Sequence, residues 1–242
     1  MPDENAPPPH VVATIGLHGS ASTWVFNVVR ELMIAALGEA QVMAAYAEEP
    51  GEVPAEAALA GRRLVLKSHH GSAGLDAWLQ TAGARIVLSV RDPRDAALSM
   101  SQRFRAPLAQ TVRWLLGDCQ RMMRLASQGH PLLRYEDRFF EDEASPKRLA
   151  DALRLNLDPA AIRAIFLCYR TDAIRAFTQT LADLPPERLV KTDHTMMDRV
   201  TQIHRTHIGD ARSGKWRDLP APAQAEMTRL FKPFLDRFGY PD

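Results

Sequence analysis

Cysteine is scarce in this chain of 242 residues: Cys119 and Cys168 are its only two. Two thiols build neither a disulfide framework nor a Cys-rich metal site, so both are expected as reduced, buried residues. An excess of one charge is also missing. Lys and Arg number 30 against 29 Asp and Glu, giving a formal net charge of +1. That balance excludes a broad basic face for nucleic acid or an anionic membrane. It leaves room for a local site that takes one small anion. No apolar run approaches the ~18 residues of a membrane span. Residues 1–10 are acidic and Pro-rich, without the basic and apolar regions of a secretory signal. They read as a flexible tail, and the chain is expected to be cytoplasmic.

What is present suits a globular α/β protein. The hydrophobic fraction is 46%, enough for a sizeable core, and residues 11–242 fit a single domain. Short runs rich in β-branched residues predict buried strands at 11–16, 64–67, 85–90 and 131–135. Helical spacing predicts helices at 23–38, 73–81, 94–103, 108–127, 146–155, 159–177 and 222–238. Strands alternating with helices imply a parallel sheet covered on both faces. Residues 47–62 carry Pro50, Gly51, Pro54 and four glutamates, and read as a solvated loop. Residues 178–220 lack a period, and a loop so long is usually functional or mobile.

Chemistry concentrates in five segments. Gly16-Leu-His-Gly-Ser-Ala-Ser-Thr-Trp24 follows the first strand and opens a helix. Backbone N–H groups and the helix dipole make such a turn an anion site. Against the triphosphatase pattern G-x-x-x-x-G-K-[ST], Gly16 and Thr23 fit. Ala21 replaces the second Gly and Ser22 the Lys, so a kinase using ATP and Mg²⁺ loses its main cation. Lys67-Ser68-His69 ends the second predicted strand, and Arg91-Asp-Pro-Arg-Asp-Ala-Ala-Leu-Ser99 follows the third. Tyr135-Glu-Asp137 ends the fourth, and Ser213-Gly-Lys-Trp-Arg-Asp218 lies near the C-terminus. Arg91 offers a planar fork for phosphate, with the Ser99 hydroxyl nearby. Asp92 and Asp95 read as capping or bracing groups, as do Glu136 and Asp137.

In order and position these segments resemble the motifs of the sulfotransferases that use 3′-phosphoadenosine 5′-phosphosulfate (PAPS) as donor. The resemblance spans residues 11–218, and R-D-P-R-D-x-x-x-S is its most specific part. It implies a three-layer α/β/α fold, P-loop NTPase-like, with a central parallel sheet. The reaction implied is sulfuryl transfer to a hydroxyl or amine of a small molecule. The 5′-phosphosulfate falls to the loop of Gly19, Ser20, Ala21, Ser22 and Thr23, and adenine to Trp24. Arg91 and Ser99 correspond to 3′-phosphate ligands, Tyr135 to a residue near the nucleoside. Arg212, Gly214 and Lys215 fall in a segment that closes on the 3′-phosphate. His69 matches the base, with a pKa near ~6.5 suited to neutral pH. Its neighbour His70 competes, but in extended backbone the two point to opposite faces.

One position departs from the pattern. The family has Lys or Arg where this chain has Gly19. Three readings stand: Lys67 supplies the missing charge, His18 does so when protonated, or the chain is a slow or non-catalytic module that binds PAPS or its product. No metal is expected. His204 and His207 sit three apart without a further ligand, and a sulfuryl group needs a metal clamp less than a terminal phosphoryl does. The pair Met196 and Met197 suits either an adaptable apolar pocket or plain core.

Overall fold

A computed structural model describes residues 7–55, 59–191, 195–206, 208–209 and 211–242. The first six tail residues, Glu56 and His207 lie outside the described residues. The strands are β1 (Val11–Gly16), β2 (Val42–Tyr46), β3 (Arg63–Ser68), β4 (Arg85–Val90) and β5 (Leu132–Arg134). They form one sheet in the order β2-β3-β1-β4-β5, every neighbouring pair parallel. β1 is central and wholly buried, as a strand covered on both faces must be.

Alternation along the strands separates two cores. Val11, Ala13 and Ile15 face one side with Leu64, Leu66, Ile86 and Leu88. Against them pack α2 (Ala73–Thr81), α3 (Pro93–Phe104), α4 (Leu108–Ala126) and α8 (Ala221–Phe238). Val12, Val65 and Val87 face the other side. They meet α1 (Ser22–Leu37), α5 (Ser145–Ala152), α6 (Pro159–Tyr169) and α7 (Thr171–Gln179). The result is the expected three-layer α/β/α arrangement. Phe26 of α1 is fully buried; truncating such a side chain to Ala costs about 3–5 kcal/mol.

Four expectations need correction. The helix expected at 159–177 breaks at Arg170, whose ψ of 153° is extended, giving α6 and α7. β2 was not expected; its sequence VMAAY is Ala-rich and only partly buried, so it lacks the apolar run that marks β1. The region 178–220 holds two short strands that pair antiparallel, β6 (Leu189–Lys191) and β7 (Met196–Asp198). The described residues of the segment 47–62 are not all solvated. Ala47 is buried, and Glu48 turns inward onto the strand-β3 end.

The topology places the site. β1 lies between β3 and β4: the connection that leaves β1 runs to β2 on one side of it, and the one that leaves β3 runs to β4 on the other. In open α/β sheets ligands bind outside the C-terminal strand ends, where the strand order reverses. The loop from Gly16 to Thr23 stands there.

Candidate active site

The β1–α1 loop is shaped by close packing and by left-handed backbone. A Cβ on Gly16 would lie 2.4 Å from both Ser22 Cβ and Ser89 Oγ, so only glycine fits. Gly19 has φ +78° and Ala21 φ +60°, which turns the chain sharply into α1. Among the described residues no acceptor meets the backbone N–H groups of Gly19, Ala21, Ser22 or Thr23. Unpaired N–H groups at a helix start are an anion cradle. The loop opens on a cavity of about 1570 Å³.

Most of the sequence-derived site residues line this cavity: Gly19, Ala21, Ser22, Thr23, Trp24, Lys67, His69, Arg91, Ser99, Tyr135 and Lys215. Ser20, Arg212 and Gly214 do not. The Ser20 hydroxyl pairs with Ser89 Oγ at 2.9 Å inside the fold. The Arg212 guanidinium pairs with Asp218, and its carbonyl accepts from Arg91 Nη2 at 2.9 Å. Gly214 has φ +79° and donates its N–H to Asp95.

Lys67 and His69 reach the loop from β3. Lys67 Nζ donates to Thr23 Oγ1 at 2.7 Å. Burial, with Arg103 nearby, lowers the Lys67 pKa to about 7, against an opposing pull from Glu48. His69 Nδ1 lies 2.6 Å from the Gly16 carbonyl. A carbonyl only accepts, so Nδ1 carries the proton and Nε2 keeps its lone pair. Burial, then His18 and Lys67, hold His69 well below the usual imidazole range, against the pull of the Gly16 carbonyl. His69 is therefore a neutral imidazole with a fixed tautomer. His70 is half exposed, turns instead to Asp118, and does not line the cavity.

Arg91 ties the loops together. Its Nη1 donates to the Gly19 carbonyl at 3.0 Å and to Ser99 Oγ at 3.3 Å. Its guanidinium lies 4.0 Å over the Tyr135 ring, and its buried Nε has no protein acceptor. The indole N–H of Trp24 is likewise buried without a partner; the ring packs on Phe139 at 5.4 Å. Asp92 caps α3 by accepting the Arg94 N–H at 3.0 Å. Asp95 takes the N–H groups of Gly214 and Trp216, so it braces the C-terminal segment. Glu136 accepts from Asp92 N–H and from the Tyr240 hydroxyl, each at 2.9 Å.

The sequence left several site residues unmarked. Glu48 accepts from Ser68 Oγ (2.7 Å), His69 N (3.0 Å) and Gly71 N (2.7 Å), and so shapes the turn that carries His69. Arg121 of α4 donates to the His69 carbonyl at 3.0 Å and to Ser68 Oγ at 2.9 Å. Arg94 is fully buried, pairs with Asp92 at 2.8 Å and stacks on Trp216 at 3.6 Å. Arg103, one turn beyond Ser99 on α3, adds a further cation to the cavity. Glu48 and Arg121 act on residues 20 or more positions away, which no local pattern marks, and Arg94, though inside the R-D-P-R-D motif, reaches Trp216 far along the chain. Met197 lines the cavity and Met196 does not. Cys119 is buried, whereas Cys168 is exposed, a correction to the expected pair of buried thiols. Among the described residues no helix is long and apolar enough to cross a membrane.

No family model and no curated protein matches the chain. Solved structures do. One is mouse sulfotransferase SULT7A1 complexed with PAP, at TM-score 0.63 and 13% identity, covering 93% of this chain and 83% of that one. Retinol dehydratase in a complex with retinol and PAP aligns at TM-score 0.59 and 14% identity, covering 95% and 82%. Its complex with androsterone and inactive cofactor PAP gives TM-score 0.62 and 15% identity over 95% and 82%. The chain has the fold of the PAPS-dependent sulfotransferases.

Proposed function

We propose that this chain transfers the sulfuryl group of PAPS to a hydroxyl or amine of a small-molecule acceptor. The observation that carries the reading is a junction. A neutral, tautomer-fixed His69, the Lys67 ammonium and the unpaired N–H groups of the β1–α1 loop meet in one cavity. The residues fit the donor chemically: Arg91 Nε and the Trp24 indole N–H are buried donors without protein acceptors. When bound, PAPS supplies an activated sulfuryl group on a phosphate leaving group.

The chain's own groups then have distinct work. The N–H groups of Gly19, Ala21, Ser22 and Thr23 hold the 5′-anion. The Arg91 fork and the Ser99 hydroxyl take the 3′-phosphate, with Lys215 at the cavity edge. The Trp24 ring offers a face to adenine. His69 Nε2 accepts the acceptor's proton, while the Gly16 carbonyl keeps Nδ1–H in place. Lys67 Nζ, held by Thr23, stabilises charge growing on the leaving oxygen. Lys67 thereby replaces the cation that Gly19 lacks. His18 is less suited, because its ring nitrogen is committed to Asp118 at 3.1 Å.

Turnover of sulfur-labelled PAPS against a panel of alcohols, phenols and amines tests this. Transfer that disappears in His69→Ala, with binding of adenosine 3′,5′-bisphosphate kept, is the expected result. Nucleotide binding without transfer to any acceptor would instead make the chain a non-catalytic module.

A further inference from the structure

We infer that His18, His70 and Asp118 form a binding site for one divalent transition-metal ion, beside the sulfuryl-transfer cavity. Three elements bring these residues together: the β1–α1 loop, the turn after β3, and helix α4. His18 Nδ1 lies 3.1 Å from Asp118 Oδ2, and His70 Nδ1 contacts Asp118 Oδ1. One ligand atom from each residue lies within 4.8 Å of the other two. The two imidazole rings are 4.5 Å apart, centre to centre. Donor atoms that share one metal at about 2.0–2.2 Å must converge in this way.

The environment of Asp118 supports the assignment. Its carboxylate is 3% exposed, and among the described residues its only charged-capable partners are the two histidines. Among the described residues no Lys or Arg pairs with it. A buried carboxylate needs a compensating charge, which either a protonated histidine partner or a dication bound by all three groups supplies. Two imidazoles and one carboxylate are borderline ligands, which select Zn²⁺, Co²⁺ or Ni²⁺ over Mg²⁺ or Ca²⁺. The His70 side chain is 47% exposed, which gives the ion a path from solvent and leaves coordination positions open. The site is separate from the donor ligands assigned above, but it touches them. The His18 ring stacks on His69 at 4.0 Å, and His18 precedes Gly19 directly. A dication here stands beside the position where this chain has no basic side chain.

The test uses the full chain after treatment with a chelator. Titration with Co²⁺ should give d–d absorption that saturates at one equivalent, and calorimetry with Zn²⁺ should give the same stoichiometry. Asp118→Asn and His70→Gln should each weaken binding by more than the roughly 10–100-fold that loss of an outer-shell partner costs. Zn²⁺ should raise the melting temperature of the parent chain and leave that of both variants unchanged. Saturation by Co²⁺ that survives in both variants would overturn the assignment, and so would failure of the parent chain to bind either metal. If Asp118→Asn lowers the melting temperature but the parent shows no metal dependence, the three residues are a hydrogen-bonded brace only. None of these readouts uses turnover, so they stand apart from the sulfotransferase reading.

Discussion

Replacing Lys67 by Met should stabilise the protein while disabling it. Lys67 is 5% exposed, and burial lowers its pKa from the ordinary 10.5 to about 7. At 1.36 kcal/mol per tenfold, that gap disfavours the charged folded form by roughly 4–5 kcal/mol. Between pH 7 and 10.5 the unfolded chain binds more protons at this lysine than the folded chain does. The penalty is therefore fully present below pH 7 and is relieved as pH rises towards 10.5. Met fills a similar volume without charge. It leaves the Thr23 hydroxyl without its partner at 2.7 Å, a loss of about 1 kcal/mol. The net gain at pH 7 is about 3 kcal/mol, and the variant should lack the parent's rise in stability between pH 7 and 9.5. Urea unfolding at both pH values reads this directly. Sulfuryl transfer should fall by about 10²–10³, the effect of losing one charge-stabilising donor. Lower stability than the parent at pH 7, or unchanged kcat/KM, would refute the assignment of Lys67 as a strained catalytic cation.

Other substitutions probe the remaining parts. His69→Asn should cut transfer by about 10²–10⁴, the range for a general base, with adenosine 3′,5′-bisphosphate affinity in calorimetry within a few fold of the parent. Arg91→Lys loses the planar fork that spans the Gly19 carbonyl, Ser99 and the Arg212 carbonyl. Nucleotide affinity should drop about 10–100-fold, as expected for one or two charge-assisted bonds. Gly19→Lys has space, since the nearest atom to its Cβ is Ala96 Cα at 3.6 Å, but φ is +78°. Thermal unfolding should show a cost of about 1–2 kcal/mol for the left-handed backbone, with the fold kept.

Burial, element length and chain separation decide which parts of the molecule the sequence reveals. β1, β3 and β4 are continuous apolar runs because both their faces are covered, and the sequence marks them clearly. β2 carries two alanines on a partly exposed edge, and β6 and β7 have three residues each, too few for a period to register. The break at Arg170 interrupts no hydrophobic spacing, so α6 and α7 read as one helix. Within the site, residues contiguous with a motif were readable: Thr23, His69 and Arg91 each sit at a strand end or helix start. Glu48, Asp118 and Arg121 act through partners 20 or more positions away, and only the tertiary fold brings them together. Gly19 was visible as a missing charge. Its positive φ supplies a reason for glycine that no spacing rule contains.

The central claim is that the β1–α1 loop and Arg91 together hold a nucleotide carrying a 3′-phosphate, without a metal bridge to a Walker lysine. Calorimetric titration in the presence of a chelator compares adenosine 3′,5′-bisphosphate with adenosine 5′-monophosphate, and a separate run uses ATP with Mg²⁺. The account predicts one site that binds the bisphosphate tightly, the monophosphate at least about 10-fold more weakly for want of the charge-assisted 3′ contacts, and ATP·Mg²⁺ poorly. Tighter binding of ATP·Mg²⁺, or equal affinity for the two adenosine phosphates, would contradict it.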